Sequence, residues 1–411
     1  MLNLFNTLTQ KIEPFKPAED TQVKMYTCGP STYQQAHIGN YRTFLFEDIL
    51  QRYMEYLGYN VKRLITLTDV EDKAIEQAKK ENATIKELTR KNEAVFFQDF
   101  KRLKIKIPDY NIRASSAVDQ AAKLITELVE KGYAYWYMYK GAKNAYFDPL
   151  KFLGFGKLAH LDMSKWPKKK RRFHKDTYPG TPWNRGDFIL WHGCRQDDVC
   201  YDSPIGRGRP AWNIQDAAIV TKHLGFTIDV ACGGIDNLVR HHDYTLAIAE
   251  AVSGKQFSRY WLHGGQLFVD GKKMSKSTGN VYYPSDLALK GFSGEHLRFF
   301  IIYGDYREKL NFTFEKLAET SRKMDFFKSM VVDLQKLKPT KQAEKKETFT
   351  SKIVSDFEGF MNNDLDVKSA IDSLYETISG IHKMRQSLGV KDVKGTLNDL
   401  RRIDNVLQFI F

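Results

Sequence analysis

The chain has 411 residues, of which 42% are hydrophobic and 27% are charged. That length is enough for two or three domains with at least one large core. No run of about 18 apolar residues occurs, so we expect no membrane-spanning helix and no membrane partner. The N-terminal stretch MLNLFNTLTQKIEPFKP also lacks the layout of a secretory signal.

The formal net charge is +13, from 63 Lys and Arg residues against 50 Asp and Glu residues. Such an excess favours a polyanionic partner, because neutralising phosphates releases their counterions. A generic lysine-rich surface gives the same excess, so phosphate chemistry has to be sought in the motifs.

The four cysteines are Cys28, Cys194, Cys200 and Cys232. They are too few and too scattered for a disulfide framework, and no CxxC spacing joins them. We therefore predict reduced thiols in a cytoplasmic protein.

The first elements along the chain form a strand–loop–helix–strand unit. The alternating segment VKMYTC (23–28) predicts a strand that runs into a polar loop. The segment RTFLFEDILQRYMEYLG (42–58) has helical periodicity, and VKRLITLTD (61–69) predicts a second strand. This βαβ order predicts an α/β fold with a parallel sheet.

The pattern changes twice further along the chain. Residues 71–104 and 115–131 predict amphipathic helices, and a region rich in strands and turns follows from about 133 to 215. The α/β pattern returns with the strand TIDVACGGID (227–236), after which the chain becomes mostly helical. The lysine-rich stretch 336–352 predicts a link between two helices.

Two glycine-bearing segments follow predicted strands. AHIGN (36–40) enters a helix, where backbone N–H groups and the His37 imidazole can approach phosphate oxygens. In CGGID (232–236), the paired glycines leave the backbone without side chains, so a purine can stack on it. The Asp236 carboxylate can accept hydrogen bonds from ribose hydroxyls. Each segment alone is more commonly an ordinary turn.

The third segment, KMSKS (273–277), is a lysine–serine loop between glycines. Lys273 and Lys276 can neutralise the charge that develops as pyrophosphate leaves a triphosphate. A plain linker has little use for such a loop. The three segments together, in this order on a parallel sheet, predict a nucleoside triphosphate site.

These motifs resemble the class I aminoacyl-tRNA synthetases, specifically the cysteinyl-tRNA synthetases. The similar segments include MYTCGPSTYQQAHIGNYRTFLFEDILQRYMEYLGYNV, ITLTDVEDKAI, RGDFILW, YDSPIGRGRPAW, GGID, KMSKSTGN and LRFFIIYGDYREKLNF. The resemblance covers roughly residues 20–320 and is weaker to residue 411. It shows no evident counterpart of the small C-terminal anticodon-binding module common in the family.

The resemblance implies activation of a carboxylate by Mg²⁺-bound ATP, followed by transfer of the acyl group to the 3′ end of tRNA. Such chemistry depends on positioning and charge stabilisation. Carried over by position, the catalytic residues are His37, Asn40, Lys273 and Lys276, and the ATP-binding residues are Gly39, Gly234, Asp236 and Lys276. The expected substrate-binding residues are Cys28, Thr68, Trp212 and Asp216.

The resemblance also implies a domain plan. Residues 1–75 and 216–285 are expected to form a Rossmann-like, parallel-sheet catalytic domain that binds ATP. Residues 76–215 are expected to form an inserted helical and β connective region, and residues 286–411 a stem-contact and helical-bundle domain.

The family holds a zinc ion with two cysteines, a histidine and a glutamate, and the zinc selects cysteine by binding its thiolate. Cys28 and His241 match two of these ligands. Asp216 stands at the second cysteine and Thr245 at the glutamate, and Ala231 replaces a family histidine that precedes the glycine run. The chain therefore departs from the family at its metal site.

Three alternatives stay open for this site. A weaker Cys28, Asp216 and His241 site can survive, His242 or Asp243 can supply a replacement ligand, or the metal is gone. We favour a metal-weak or metal-free site. Without a metal, Asp216 would place a negative charge beside the side-chain pocket and favour a cationic or hydrogen-bond-donating substrate.

The segment KWPKKKRRFHK (165–175) concentrates Lys and Arg around Trp166 and Phe173. Such a run is commonly a solvated loop. In the resembling family it falls near the tRNA acceptor end, where phosphate contacts and stacking on a single strand would suit it.

We therefore predict an ATP-dependent ligase most like a cysteine–tRNA ligase, acting on an amino acid or a related small carboxylic acid. One alternative is a paralogue that transfers an acid other than cysteine to a small amine instead of tRNA. A second is a non-catalytic binding protein, although that function has no need for the pyrophosphate-handling loop. The sequence makes no prediction of oligomeric state.

Overall fold

The computed structural model describes residues 1–139, 141–165, 186–195, 199–275, 278–337 and 348–411. Within these ranges the strands are β1 (Asn3–Asn6), β2 (Lys11–Pro14), β3 (Gln22–Thr27), β4 (Asn60–Leu67), β5 (Tyr110–Arg113), β6 (Ala134–Tyr139), β7 (Ala142–Phe147), β8 (Phe188–Gly193), β9 (Gly208–Pro210), β10 (Ile228–Gly234), β11 (Ser258–Gly264), β12 (Leu267–Val269), β13 (Lys272–Lys273) and β14 (Leu310–Phe312). The α-helices are α1 (Ile38–Tyr56), α2 (Asp72–Lys80), α3 (Ile85–Arg102), α4 (Val118–Glu130), α5 (Trp212–His223), α6 (Asp243–Ser253), α7 (Pro284–Leu289), α8 (Gly294–Ile302), α9 (Phe314–Lys336), α10 (Thr348–Met361), α11 (Val367–Lys383) and α12 (Val390–Leu407).

The central sheet is parallel and has the strand order β11-β10-β3-β4-β5. The chain moves outward from β3 to β4 and β5 in one direction, and later from β10 to β11 in the other. The strand order therefore reverses between β3 and β10, which is where open α/β sheets bind their ligands. The predicted α/β fold with a parallel sheet is confirmed.

Both faces of this sheet are covered. One hydrophobic core joins the sheet to α1 and the C-terminal helices, with buried residues such as Phe44, Leu50 and Phe300. A second core joins the other face to α4, α5 and α6, with buried residues such as Ile214 and Trp261. Two covered faces account for the nearly continuous apolar runs of the central strands.

A second, antiparallel sheet lies in the region predicted to be rich in strands and turns, with the order β6-β7-β8-β9. Immediately after β8, Cys194 forms a disulfide with Cys200. The prediction that all four cysteines are reduced thiols is therefore wrong for this pair. The two cysteines are six residues apart in the sequence and their Cα atoms lie 5.7 Å apart, a proximity that the sequence spacing does not reveal.

The limits of the predicted domains stay a prediction. Within 76–215, β5 pairs with β4 and extends the central sheet, whereas β6 to β9 form the separate antiparallel sheet. The predicted link at 336–352 lies mostly outside the described residues, as does the basic segment from Trp166 onward.

The C-terminal helices attach to the helix that carries the HIGN motif. Arg298 on α8 is fully buried, and its guanidinium donates to Asp48 on α1 at 2.7 Å and to the carbonyl of Leu407 at 2.8 Å. Burial by itself would raise the pKa of Asp48, but Arg298 and Arg52 hold it below its ordinary value. This buried ion pair fixes α1 between the sheet and the helical domain.

Helix α1 begins at Ile38, with His37 as the residue before it, and so includes the periodic segment 42–58. This agrees with the prediction that AHIGN enters a helix. The HIGN motif therefore lies within the first turn of the helix. Among the described helices, none combines the length and the apolar character needed to cross a membrane.

Candidate functional site

A cavity of about 350 Å³ lies at the carboxyl ends of β3 and β10, where the strand order of the sheet reverses. Its lining includes Cys28, His37, Gly39, Asn40, Trp212, Gly234, Asp236 and Lys273. The fold thus brings the three predicted glycine-bearing segments to one opening, together with two of the expected substrate-binding residues.

The N-terminus of α1 forms one wall of the cavity. The side-chain oxygen of Asn40 accepts from the backbone N–H of His37 at 2.9 Å, and the N–H of Ile38 donates to Tyr282 at 2.9 Å. The N–H of Asn40 donates to the carbonyl of His37, also at 2.9 Å, so it is the positive end of the helix dipole that favours an anion here. This wall suits the phosphates of a nucleotide.

The KMSKS loop lies against the same helix end. A Cβ atom on Gly39 would come within 2.3 Å of the Met274 methyl group, so the absence of a side chain allows this close approach. Asn280 holds the loop, since its amide accepts from the N–H of Ser275 at 2.9 Å and donates to the carbonyl of Lys273 at 3.2 Å. The predicted catalytic residue Lys276 lies outside the described residues.

The CGGID segment ends β10 on the opposite side of the opening. A Cβ atom on Gly234 would lie 2.7 Å from the carboxylate of Asp236 and 3.4 Å from the Thr43 hydroxyl. Bare backbone therefore faces the cavity at Gly234, and the Asp236 carboxylate is exposed beside it. This arrangement suits the adenosine part of a nucleotide.

Cys28 marks the other end of the cavity. A Cβ atom on the next residue, Gly29, would lie 1.6 Å from the carbonyl oxygen of Thr66, so the chain passes here only with glycine. The Asn237 amide nitrogen lies 3.7 Å from the Cys28 sulfur, and Asn237 and Trp212 also line the cavity. Burial, with the nearby Asp216 and Glu47, raises the pKa of the Cys28 thiol.

A buried cluster lies behind this wall. Asp216 accepts a hydrogen bond from the Tyr26 hydroxyl and a second one, at 2.7 Å, from Nε2 of His241. Burial alone would raise the pKa of Asp216, but His241, Tyr26 and Thr66 outweigh it and lower the pKa. Asp216 and His241 are each 1% exposed and do not line the cavity.

His241 and His242 lie in a short π-helical turn, Leu238–His242, that joins the CGGID segment to α6. Turns of this kind are frequent at functional sites. His242 Nδ1 is 2.8 Å from Nε2 of His263, whose Nδ1 is 2.9 Å from the Thr7 hydroxyl. Burial lowers the pKa of His263 to about 3, so this chain of side chains is neutral.

The ligands of the family's zinc ion are only partly present. Among the described residues, Cys28, Asp216 and His241 place one potential ligand atom each within 4.8 Å of one another, and neither His242 nor Asp243 joins them. Two ligands of a tetrahedral zinc ion lie about 3.4 Å apart, given bonds of about 2.1 Å. The 2.7 Å separation between Asp216 and His241 is instead that of a hydrogen bond.

The surroundings of His241 also differ from those of a zinc ligand. A zinc-binding histidine directs its second ring nitrogen to an acceptor, whereas Nδ1 of His241 has no hydrogen-bond partner in the described part of the chain. The Thr245 hydroxyl is likewise buried without a partner there. The side chains present fit a hydrogen-bonded cluster and do not fit a tetrahedral zinc centre.

Thr68 lies apart from the cavity, although the sequence analysis expected it to bind substrate. It is 4% exposed, and its carbonyl accepts from the backbone N–H and the hydroxyl of Thr32, both at 2.9 Å. Thr68 therefore braces the loop after Cys28 from behind.

Three residues that sequence reasoning missed belong to the site. Asn237 lines the cavity, Tyr26 donates to Asp216, and Asn280 holds the KMSKS loop. Asn237 directly follows Asp236, so its position beside the CGGID motif was a usable signal. Nothing in the alternation of β3 indicates that Tyr26 meets Asp216, 190 residues away.

Comparison with known proteins gives a family for this arrangement. The model of the tRNA synthetases class I (C) catalytic domain matches residues 14–322. A cysteine–tRNA ligase of Brachyspira hyodysenteriae is 35% identical over 409 residues, which cover 98% of this chain and 85% of the relative. A cysteine–tRNA ligase of Chlamydia pneumoniae is 37% identical over 413 residues, which cover 99% of this chain and 86% of the relative.

Solved structures support the same fold. Mycobacterium tuberculosis methionyl-tRNA synthetase bound by methionyl-adenylate matches with a TM-score of 0.67 at 14% identity, covering 94% of this chain and 92% of that one. The LeuRS–tRNA–LeuAMS complex of Agrobacterium radiobacter K84 matches with a TM-score of 0.70 at 12% identity, covering 96% and 85%. The Rossmann-like catalytic fold is thus confirmed. The chain belongs to the cysteinyl-type class I aminoacyl-tRNA synthetases and is an ATP-dependent ligase.

Proposed function

We propose that this ligase activates its amino acid and charges tRNA without a zinc ion in the amino-acid pocket. The observation that carries the proposal is the Tyr26, Asp216 and His241 cluster, in which hydrogen bonds between protein groups stand where zinc ligands would be. The cavity is lined by His37, Gly39, Asn40, Gly234, Asp236 and Lys273, which are expected to bind ATP, and this supports adenylation at the site. The proposal therefore separates the chemistry at the phosphates from the way the substrate is selected.

In the first step, the carboxylate of the amino acid attacks the α-phosphate of Mg²⁺-bound ATP and pyrophosphate leaves. His37, Gly39 and Asn40, at the N-terminus of α1, would hold the phosphates, and Gly234 and Asp236 the adenosine. Lys273 and Lys276 would stabilise the charge on the departing pyrophosphate.

In the second step, a hydroxyl at the 3′ end of tRNA attacks the acyl carbonyl and AMP leaves. Relatives named cysteine–tRNA ligases cover nearly the whole chain, which supports tRNA as the acceptor. The net charge of +13 supports a polyanionic partner as well.

Two measurements test this proposal. The purified chain should hold well below one zinc per molecule, and amino-acid-dependent ATP–pyrophosphate exchange should continue in the presence of a chelator. Acid-precipitable charging of tRNA should follow with the same amino acid. Stoichiometric zinc whose removal abolishes exchange would contradict the metal-free pocket, and acyl transfer to small amines without tRNA charging would favour the alternative acceptor.

A further inference from the structure

We propose that Lys73, held against the ring of Tyr33, binds a phosphate at the single-stranded 3′ end of tRNA and so places the terminal hydroxyl at the acyl group. The inference rests on the proposed transfer to tRNA and adds a residue that would position the acceptor. Lys73 belongs to none of the three segments that the sequence assigns to nucleotide binding.

Lys73 and the CGGID segment lie on opposite sides of the end of β3. In the strand order β10-β3-β4, the end of β3 lies between the end of β10 and the turn from β4 into α2. Cys28 directly follows β3, and Lys73 lies in the first turn of α2. Both residues line the same cavity. Along the sheet, the proposed amino-acid pocket at Cys28 therefore lies between the proposed adenosine wall and Lys73.

Two contacts fix the position of the Lys73 ammonium. Its nitrogen lies 5.6 Å from the centroid of the Tyr33 ring, within the distance of a cation–π contact, and Tyr33 also lines the cavity. Asp72, the residue before Lys73, forms an ion pair with Arg209 of β9, and Arg209 is 5% exposed. The start of α2 is therefore anchored to the antiparallel sheet, and the Lys73 side chain lies against an aromatic ring that limits its movement.

The loop that carries Tyr33 is anchored as well. Ser31 pairs with Thr68 in an isolated parallel bridge, and the amide of Asn92 on α3 donates to the carbonyl of Thr32 at 2.9 Å. The loop after β3 and the turn after β4 therefore run side by side. A cation that is already held in place loses less side-chain entropy when it binds an anion.

The charge of Lys73 is not needed for ATP in the proposed arrangement. The N-terminus of α1 and the KMSKS lysines are assigned to the phosphates, and the CGGID segment to adenosine. The remaining anionic substrate is tRNA, whose single-stranded 3′ end carries a phosphate beside the terminal nucleoside, and lysine binds phosphate as a point charge. Burial lowers the pKa of Lys73 against the opposing influence of Glu71 and Glu76. A phosphate oxygen would replace the water that burial removes from the ammonium.

Lys73 would take no part in bond making. In the transfer, the terminal hydroxyl oxygen forms an ester bond to the acyl carbon, the bond from that carbon to the AMP oxygen breaks, and the hydroxyl proton passes to the AMP phosphate or to solvent. A contact to the neighbouring phosphate brings the hydroxyl to this carbon. Because a hydrogen bond to a charged group contributes about tenfold or more, its loss should slow transfer by a similar factor.

The experiment compares two rates in Lys73→Met, which removes the charge and keeps the approximate length, with the amino acid that gives the fastest exchange. ATP–pyrophosphate exchange reports adenylation, and single-turnover transfer from preformed adenylate to total tRNA reports the acceptor step. Transfer should fall about tenfold more than exchange does. Lys73→Arg, which keeps a cation, should recover most of the transfer rate. The matched control is Lys79→Met, at an exposed position on the same helix.

Filter binding then locates the contact on the RNA. Intact tRNA should lose about tenfold in affinity for the Lys73→Met variant. The slope of log K against log salt should fall by about 0.7, the value for one phosphate of a single strand. A tRNA from which the single-stranded 3′ end has been removed should bind the wild type and the variant equally.

An equal fall of exchange and transfer overturns the inference and assigns Lys73 to ATP or pyrophosphate, and unchanged rates in both assays overturn it outright. Equal losses of affinity for intact and shortened tRNA place the contact elsewhere on the RNA and contradict the inference as well. If Lys73→Met does not fold, as judged by its thermal transition, Lys73→Gln is compared with Lys79→Gln in the same assays. A wild type that forms the adenylate but transfers it only to small amines overturns the proposed acceptor itself, whatever the variants show.

Discussion

At the end of the cavity proposed to bind phosphates (the phosphate end), close backbone approaches at Gly39 and Gly234 shape the wall, whereas at the end proposed to bind the amino acid (the amino-acid end) buried side chains do so. The close approach of Met274 to Gly39 and the short contacts at Gly234 depend on where the chain runs. At the amino-acid end, Asp216 is held by Tyr26 and His241, and the Trp212 ring stacks on His241.

This difference explains why adenylation chemistry and substrate selection can diverge separately in one family. Replacing a zinc-binding cysteine by Asp216 leaves the helix dipole of α1 and the glycines of the CGGID segment as they were. In the proposed zinc-free pocket, it would also put a hydrogen-bonded cluster where the family has a metal centre. Mutations at the Asp216 end should therefore lower the free energy of unfolding, whereas mutations in the KMSKS loop should lower the rate of adenylation.

The largest effect on stability is expected from Asp216→Ala. The variant leaves Tyr26 and His241 buried without their common partner, so the free energy of unfolding should fall by about 3–5 kcal/mol, as for a broken buried pair. Urea denaturation at pH 7 measures this loss. Asp202→Ala, at an exposed surface carboxylate, is the control and should change stability little.

If Asp216→Ala lowers the free energy of unfolding by less than about 1 kcal/mol, the buried cluster contributes little to stability, contrary to this prediction. If a chelator destabilises the wild-type chain by a similar amount, a bound metal holds this end together instead. Either result would remove the contrast between the two ends.

The phosphate end is tested by Lys276→Ala, on the strength of the KMSKS motif. Loss of one group that stabilises developing charge should raise the adenylation barrier by about 2.7–4 kcal/mol, while ATP binding weakens far less. Single-turnover adenylate formation separates the two effects. Lys272→Ala, in the same loop but outside the cavity lining, is the control.

Unchanged adenylation in Lys276→Ala would show that the loop does not act on pyrophosphate. A loss of ATP affinity equal to the loss in rate would assign Lys276 to binding of the ground state. In both cases Lys276→Ala should leave the free energy of unfolding unchanged, which distinguishes the phosphate end from the Asp216 cluster.

The sequence revealed the phosphate end better than the amino-acid end, for a physical reason. A glycine in the first turn of a helix, such as Gly39, or at the end of a strand, such as Gly234, reflects a local requirement for backbone without a side chain. Such a requirement can be recognised in the sequence before the fold is known. The partners of Asp216 come from β3 and from the turn before α6, which only the folded chain brings together. The sequence showed that Asp216 stands where the family has a zinc ligand, but not that Asp216 is bonded to Tyr26 and His241 and is absent from the cavity lining.

Two further differences have the same origin. The Cys194–Cys200 disulfide depends on the two thiols meeting in space, and the pairing of β5 with the central sheet depends on its neighbour β4. Neither follows from periodicity, because periodicity reports which face of an element is buried and not what it contacts. The parallel sheet itself was predictable, since the strand–helix–strand order has few alternatives.

The buried histidines behind the amino-acid end predict a pH effect on stability. The pKa of His263 is lowered by burial to about 3, whereas the ordinary histidine pKa is about 6.5. Between these values the unfolded chain binds the proton and the folded chain does not, so stability falls as the pH drops below about 6.5. The slope should approach about 1.4 kcal/mol per pH unit for this residue.

Urea denaturation at pH 7, 6 and 5 measures the slope. His263→Asn should reduce the slope by about 1.4 kcal/mol per pH unit while keeping groups that can bond Thr7 and His242, and His242, whose pKa burial also lowers, should still contribute. A His160→Asn variant, at an exposed residue, is the control. Equal slopes in the wild type and in His263→Asn would show that His263 is protonated in the folded chain.

The smallest expected effect concerns the acceptor and not the cavity. On sequence grounds, replacing Lys168, Lys169, Lys170 and Arg171 with Ala should weaken tRNA binding and reduce its salt dependence, because each lost phosphate contact lowers the slope of log K against log salt by about one. Between about 50 and 200 mM salt, one contact corresponds to about a fourfold change in affinity. Filter binding of tRNA at several salt concentrations measures the slope, with ATP–pyrophosphate exchange as the internal control that should stay near wild type. A slope equal to that of the wild type would identify the segment as a solvated loop, whereas reduced exchange would show that it influences the cavity and is not confined to the tRNA.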